Sequence, residues 1–296
     1  YYIGAMDQVS SLEAAQSALD APSDASLRVP CYCEENVWRL AFRKLYHQST
    51  SSSETSVNDD PTTTSYYVVF VSNANACVPM FQQRACSDKD KPVFWDYHVI
   101  LLSTAQSTIS TTHGHSTQRR RRKRTLVWDI DSHLPCPCPL EGYATRVFPN
   151  HAGWPEKFQP YFRVVEASVY LLHFSSDRMH MFDADRQEWR AAPPDYACIV
   201  QSRKPRKKEN DNENDDKNGE TKEDEEKQEE ESPPTPQSAI GPTTDLVNTL
   251  DRYMTISEQD VRGRNGPEKV DELSPFGRVV SLPELLERFE ITGTGT

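Results

Sequence analysis

A chain of 296 residues would ordinarily hold one large or two medium domains. The stretch 203–242, however, is nearly devoid of large apolar side chains and cannot offset its own ordering entropy, so about 200 residues are left to build one domain. A net charge of −12 argues against a general nucleic-acid binder, no run reaches the ~18 apolar residues of a membrane span, and seven irregularly spaced cysteines do not describe a disulfide framework but fit a reducing compartment.

In chain order, residues 1–5, ahead of Met6, are read as foreign to the fold, and 1–27 as an N-terminal segment. The run CYCEENVWRLAFRKLYHQ, Cys31 to Gln48, puts Val37, Leu40, Ala41, Lys44 and Leu45 on one side at helical spacing, with Arg39 and Arg43 elsewhere. It predicts an amphipathic helix beginning near Cys33, with Glu34 and Glu35 in its first turn, where carboxylates suit the positive end of the helix dipole. Residues 48–65 are rich in Ser and Thr and read as a solvated insert. Three runs of β character follow: YYVVFVSN from Tyr66, VFWDYHVILLS from Val93 and TLVWDID from Thr125. Between the first two, residues 74–92 read as loop with one short strand. The second and third should pair antiparallel, since their connection needs no crossover helix.

Alternation along the second run places Asp96 and His98 on one face and Trp95, Tyr97 and Val99 on the other; in the third, Val127, Asp129 and Asp131 share a face. Residues 103–124, Ser/Thr-rich and then RRRRKR at Arg119 to Arg124, read as a second solvated insert. Residues 162–172 are apolar enough for a strand or a buried helix, 174–181 read as loop, and the paired prolines of WRAAPPDYACI close the first block at Ile199. The acidic stretch 203–242 reads as disordered. Beyond it, Asp245 to Met254 and SLPELLERF regain apolar periodicity, the latter with Ser281 as cap and Pro283 in the first turn. A single catalytic domain is expected from 28–200 plus 243–290.

Cys31 and Cys33, and Cys136 and Cys138, are separated by one residue, whereas zinc ligand pairs are typically spaced by two to four. Neither metal nor cofactor is expected. A cysteine at a helix start is suited to nucleophilic chemistry, because unpaired backbone N–H groups stabilise a thiolate there. Cys33 has that position, although Glu34 and Glu35 act against it by raising a nearby thiol pKa. His98 on an apolar strand can serve as base, and Asp129 on the next strand can hold the imidazole in the correct tautomer. The same residue types also occur as an inert buried thiol, a core histidine and a turn former. Their order, Cys on a helix, then His and Asp on successive strands, is that of papain-like and transglutaminase-like sites.

CYCEENVW (Cys31 to Trp38), WDYHVILL (Trp95 to Leu102), DIDSHLPCPC (Asp129 to Cys138), FSSDRMHM (Phe174 to Met181) and PPDYACI (Pro193 to Ile199) resemble the protein N-terminal glutamine amidohydrolase family, in this order and without internal gaps. SPFGRVVSLPELLERF resembles that family's closing segment, with Phe276 and Gly277 where a Trp-Gly pair is expected. The resemblance implies an α/β domain of papain-like or transglutaminase-like type and a catalytic triad of Cys33, His98 and Asp129. It also implies deamidation of N-terminal Gln in proteins, which feeds the N-end rule (N-degron) pathway.

The expected reaction is attack of Cys33 on the side-chain amide, loss of ammonia and hydrolysis of a thioester. Selectivity for a free α-ammonium requires an acidic group, for which Glu34, Glu35 and Asp96 are the candidates. The partners expected are proteins or peptides starting with Gln, with neither membrane nor nucleic acid. A cytoplasmic monomer is the expectation, with nuclear entry through a basic run. Two alternatives stay open: a transglutaminase or cysteine protease with the same triad, and a non-enzymatic adaptor acting through RRRRKR and KPRKK (Lys204 to Lys208).

Overall fold

A computed structural model describes residues 11–47, 64–113, 116–200, 248–262 and 274–290. The expected insert 48–65, apart from its last two residues, and the acidic stretch 203–242 lie outside the described residues.

The centre is a mixed α/β arrangement around a six-stranded sheet in which every neighbouring pair is antiparallel. Its strands are β1 (Thr64–Ser72), β4 (His98–His113), β5 (Ser116–Trp128), β6 (Cys138–Pro139), β7 (Tyr161–Glu166) and β10 (Arg278–Ser281), in the order β10-β7-β1-β4-β5-β6, and β8 (Phe182–Asp183) pairs with β9 (Glu188–Trp189) outside it. The nearly continuous apolar run of β1 is explained by burial on both sides. Val68 and Phe70 pack with Val99, Leu101 and Val165 on one face, while Val69 and Val71 pack with Ile100, Leu102, Val127 and Val164 on the other. The first face is covered by the helices α1 (Leu12–Asp20), α2 (Cys33–His47), α4 (Ala167–His173) and α5 (Leu250–Met254). The second is covered by α3 (Leu140–Val147) and α7 (Leu282–Glu290), and the short α6 (Glu258–Arg262) lies against β10. Among the described residues, no helix is long and apolar enough to cross a membrane.

Several expectations are met in detail. Helix α2 begins at Cys33, β4 and β5 pair antiparallel, and the short strand in 74–92 is β2 (Val78–Met80), paired with β3 (Val93–Trp95). The stretch 162–172 is strand and then helix, β7 running into α4. At Ser281 both the backbone N–H and the hydroxyl donate to Glu284 at 2.6 Å, which satisfies a donor at the start of α7.

Three expectations are corrected. Residues 103–124 do not form a loop: β4 and β5 continue as a paired ladder from Leu101↔Trp128 to His113↔Ser116. Thr and Ile favour a pleated strand, and polar composition does not by itself prevent backbone pairing. The run from Val93 is not one strand either. It breaks at Asp96 and Tyr97, where the Asp96 carboxylate accepts its neighbour's N–H at 2.8 Å and Ser72 Oγ donates to the Asp96 carbonyl at 2.7 Å. Of the segment 1–27, the described residues 11–27 are also not separate from the domain. Ala14, Ala15 and Ala18 of α1 join the core, and Arg39 donates from α2 to the carbonyls of Leu27 and Ser17.

Gly277, the residue before β10, has φ of 63°, and an added Cβ would fall on the Val164 carbonyl. Gly277→Ala is therefore expected to cost about 2–3 kcal/mol, through left-handed strain and the displacement of β10 from β7. A shift of the urea midpoint to lower concentration checks this.

Candidate active site

The segment before α2 is held in a tight loop. The Asn36 side chain accepts the Val29 N–H at 2.9 Å and donates to the Val29 carbonyl at 2.8 Å, and Cys31 takes a left-handed φ of 68°. The chain thereby leaves Cys31 exposed and delivers Cys33, partly buried, at the first position of the helix. Helix α2 lies against β4, and the Val99 N–H is directed at Cys33. Burial pushes the Cys33 thiol well above its usual range, and Glu34 and Asp131 add to the effect. Cys33 therefore rests as a neutral thiol.

His98 opens β4 and is 1% exposed. Its Nε2 lies 3.1 Å from Asp129 Oδ1, just past the end of β5, and Trp95 stacks on its ring at 5.7 Å between centroids. Alternation assigned Trp95 and His98 to opposite faces; the break at Asp96 and Tyr97 brings them together. Asp129 also accepts from Tyr143 Oη at 2.7 Å, the Asp131 N–H at 3.0 Å and Gln83 Nε2 at 3.5 Å. Burial by itself raises its pKa, but these donors and the His98 charge outweigh that and hold it below the usual carboxylate range. Burial likewise lowers the His98 pKa, and the Asp129 charge and hydrogen bond more than reverse it. Asp131, the alternative partner on the same face, is turned to Arg28 at 2.6 Å.

The three candidate ammonium receptors have different surroundings. Glu35, fully buried, is held by Arg178 in a two-point ion pair at 2.8 and 2.7 Å. Asp96 is exposed and caps Tyr97. Glu34 is fully buried beside the thiol, its Oε2 lying 3.6 Å from Cys33 Sγ and 3.0 Å from Tyr97 Oη. Burial and the Glu35 charge push Glu34 up to about 8. Of the two carboxylates expected to oppose a thiolate, Glu35 is paired with an arginine, while Glu34 beside the sulfur still adds to the upward shift of the thiol. Among the described residues no group of three or more His, Cys, Asp and Glu is arranged to hold a metal ion.

Arg178 and His180 escaped the sequence reading. Both lie in FSSDRMHM, which does run outside the sheet, and the signal was an arginine and a histidine within an otherwise unexplained motif. Arg178 is 2% exposed in a left-handed conformation and also donates to the Tyr196 carbonyl at 2.9 Å. Its replacement by Met would leave Glu35 buried without its counter-ion, an expected loss of about 3–5 kcal/mol. The Arg178→Met, Glu35→Met double variant should recover much of that loss in denaturant unfolding.

The chain is similar to known proteins. The N-terminal glutamine amidase family model matches residues 28–230. Over 178 residues the chain is 35% identical to the protein N-terminal glutamine amidohydrolase of Bos taurus, covering 60% of this chain and 72% of the relative. The Homo sapiens protein of the same description is 34% identical over 178 residues (60% and 73%), and that of Arabidopsis thaliana 36% over 171 residues (58% and 67%).

Proposed function

Because the chain belongs to the N-terminal glutamine amidase family and is an amidohydrolase, we propose that it converts N-terminal Gln of proteins to Glu through a thioester on Cys33. The reading is supported by the cysteine at the start of α2, at which the N–H of Val99, the residue after His98, is directed, together with the buried His98–Asp129 pair. A cysteine heading a helix laid on an antiparallel sheet, with His and Asp from adjacent strands, supports a papain-like or transglutaminase-like hydrolase.

With Nε2–H donated to Asp129, the other ring nitrogen, Nδ1, is left to take the proton of Cys33. Cys33 rests as a thiol, so its attack on the amide carbon is coupled to that proton transfer. The tetrahedral intermediate expels ammonia as His98 returns the proton to nitrogen. Water, deprotonated by the same imidazole, then cleaves the thioester to Glu and restores the thiol. Asp129 stays ionised throughout and stabilises the imidazolium. The N-terminal Glu so formed feeds the N-degron pathway. In the test, a Gln-starting peptide should yield ammonia and a Glu-starting product in equal amounts. Incorporation of an added amine in place of water would favour a transglutaminase, and cleavage of the peptide backbone a protease.

A further inference from the structure

Beside the thiol lies a second polar cluster that the amide chemistry does not use. Glu34 Oε1 is buried without a hydrogen bond, 3.5 Å from His180 Nε2. His180 Nδ1 is buried and unbonded as well, and the phenol of Tyr97 touches both residues, at 3.0 Å from Glu34 Oε2 and 3.4 Å from His180 Nε2. Two buried polar atoms without a hydrogen bond, on two side chains of one cluster, are unusual in a native interior and call for a ligand or a function. Cys33 and His180 both keep some exposure, the latter 17% of its side chain, which opens the cluster toward solvent.

We propose that Glu34, with His180 and Tyr97, receives the α-ammonium of the substrate's first residue and so separates N-terminal from internal glutamine. This rests on the amidohydrolase reading and deepens it. Glu35 is committed to Arg178, and Asp96 is exposed and caps the Tyr97 N–H; of the three, Glu34 is the one with a buried, unbonded oxygen on a carboxyl beside the thiol.

The reach is right. From the amide carbon of Gln to its α-nitrogen is four bonds of ~1.5 Å each, a span of ~4–5 Å. Glu34 Oε2 is 3.6 Å from the sulfur, and Oε1 is the free oxygen of the same carboxyl. Charge is balanced as well. The free carboxyl titrates at about 8, close to the ~7.7–8.0 of an α-amino group, so one proton serves the pair and no uncompensated charge is buried on binding. An acylated nitrogen has neither the charge nor the extra donors.

The experiment compares kcat/KM for a Gln-starting tetrapeptide and for the same peptide lacking only the α-amino group, in the wild-type protein and in Glu34→Gln. The wild type should prefer the amine-bearing peptide by about 100-fold or more, since a site built around a donor rejects the analogue without it. In Glu34→Gln that ratio should fall to within about threefold, mainly through KM for the amine-bearing peptide. A variant that keeps the wild-type ratio, or that loses both rates in proportion, overturns the proposal. If Glu34→Gln does not fold, Tyr97→Phe and His180→Gln carry the same comparison, and an unchanged ratio in both overturns it equally. Failure of the underlying reading looks different: the wild-type protein would release ammonia from neither peptide.

Discussion

Cys33→Ala should reduce ammonia release from a Gln-starting peptide by on the order of 10⁴-fold or more, to background, while Cys31→Ala stays within about threefold of wild type. The cysteines are separated by one residue but occupy different environments. Cys33 is the first residue of α2, with the Val99 N–H directed at it. Cys31 precedes the helix in a left-handed turn and is exposed. Among the described residues no other cysteine begins a helix; Cys136, which meets the Asp129 backbone, is exposed and lies outside any helix. Ammonia assay and product mass on purified, folded variants decide the matter; full activity in Cys33→Ala would remove the cysteine from the mechanism.

The second large effect is expected from Asp129→Asn, a loss of about 10³–10⁴-fold in kcat with the thermal transition retained. Asn keeps the volume and one acceptor; with that oxygen kept toward Tyr143 at the Oδ2 position, its amide takes the Oδ1 position that His98 and the Asp131 N–H share. It can, however, present its amide to the imidazole and favour the wrong tautomer, and it cannot stabilise the imidazolium. The sign of the pH effect follows from the same contacts. Asp129 is what raises His98 against the lowering effect of burial. Without it the imidazole should bind its proton less tightly, and the acid limb of the residual pH–rate profile should move to lower pH. Asp131→Asn is the control: its carboxylate is paired with Arg28, so its effect on kcat should be at least about tenfold smaller. Equal losses in the two variants would mean that the pair acts as one polar network.

What could be read from the sequence divides along physical lines. Cys33, His98 and Asp129 lie in three short motifs whose local structure is fixed by nearby residues: a helix start after a tight loop, a strand onset and a strand end. Glu34, Arg178 and His180 depend on contacts over long sequence distances. Arg178 meets Glu35 143 residues away, and nothing in FSSDRMHM announces a buried ion pair. Helix α1 was missed because its buried face is Ala14, Ala15 and Ala18, side chains too small to give an apolar signal. The β4–β5 ladder was read as loop because Ser and Thr were weighed for polarity and not for strand propensity. Alternation failed at Trp95 to His98 because it assumes an unbroken strand, and Asp96 breaks it with its own side chain.

The long hairpin of β4 and β5 also bears on how this protein can change in length. His98 sits at the foot of one arm and Asp129 just past the foot of the other, so their separation is set by the register at Leu101↔Trp128. Residues gained or lost in equal number on both arms near the tip leave that register, and the pairing of base and carboxylate, untouched. A residue added to one arm alone has to be absorbed as a bulge before it reaches the foot. Otherwise it slides the ladder by one step, turns every following side chain to the opposite face and carries Asp129 away from the imidazole. Growth in matched pairs is therefore the route by which this ribbon can lengthen while the catalytic end stays fixed.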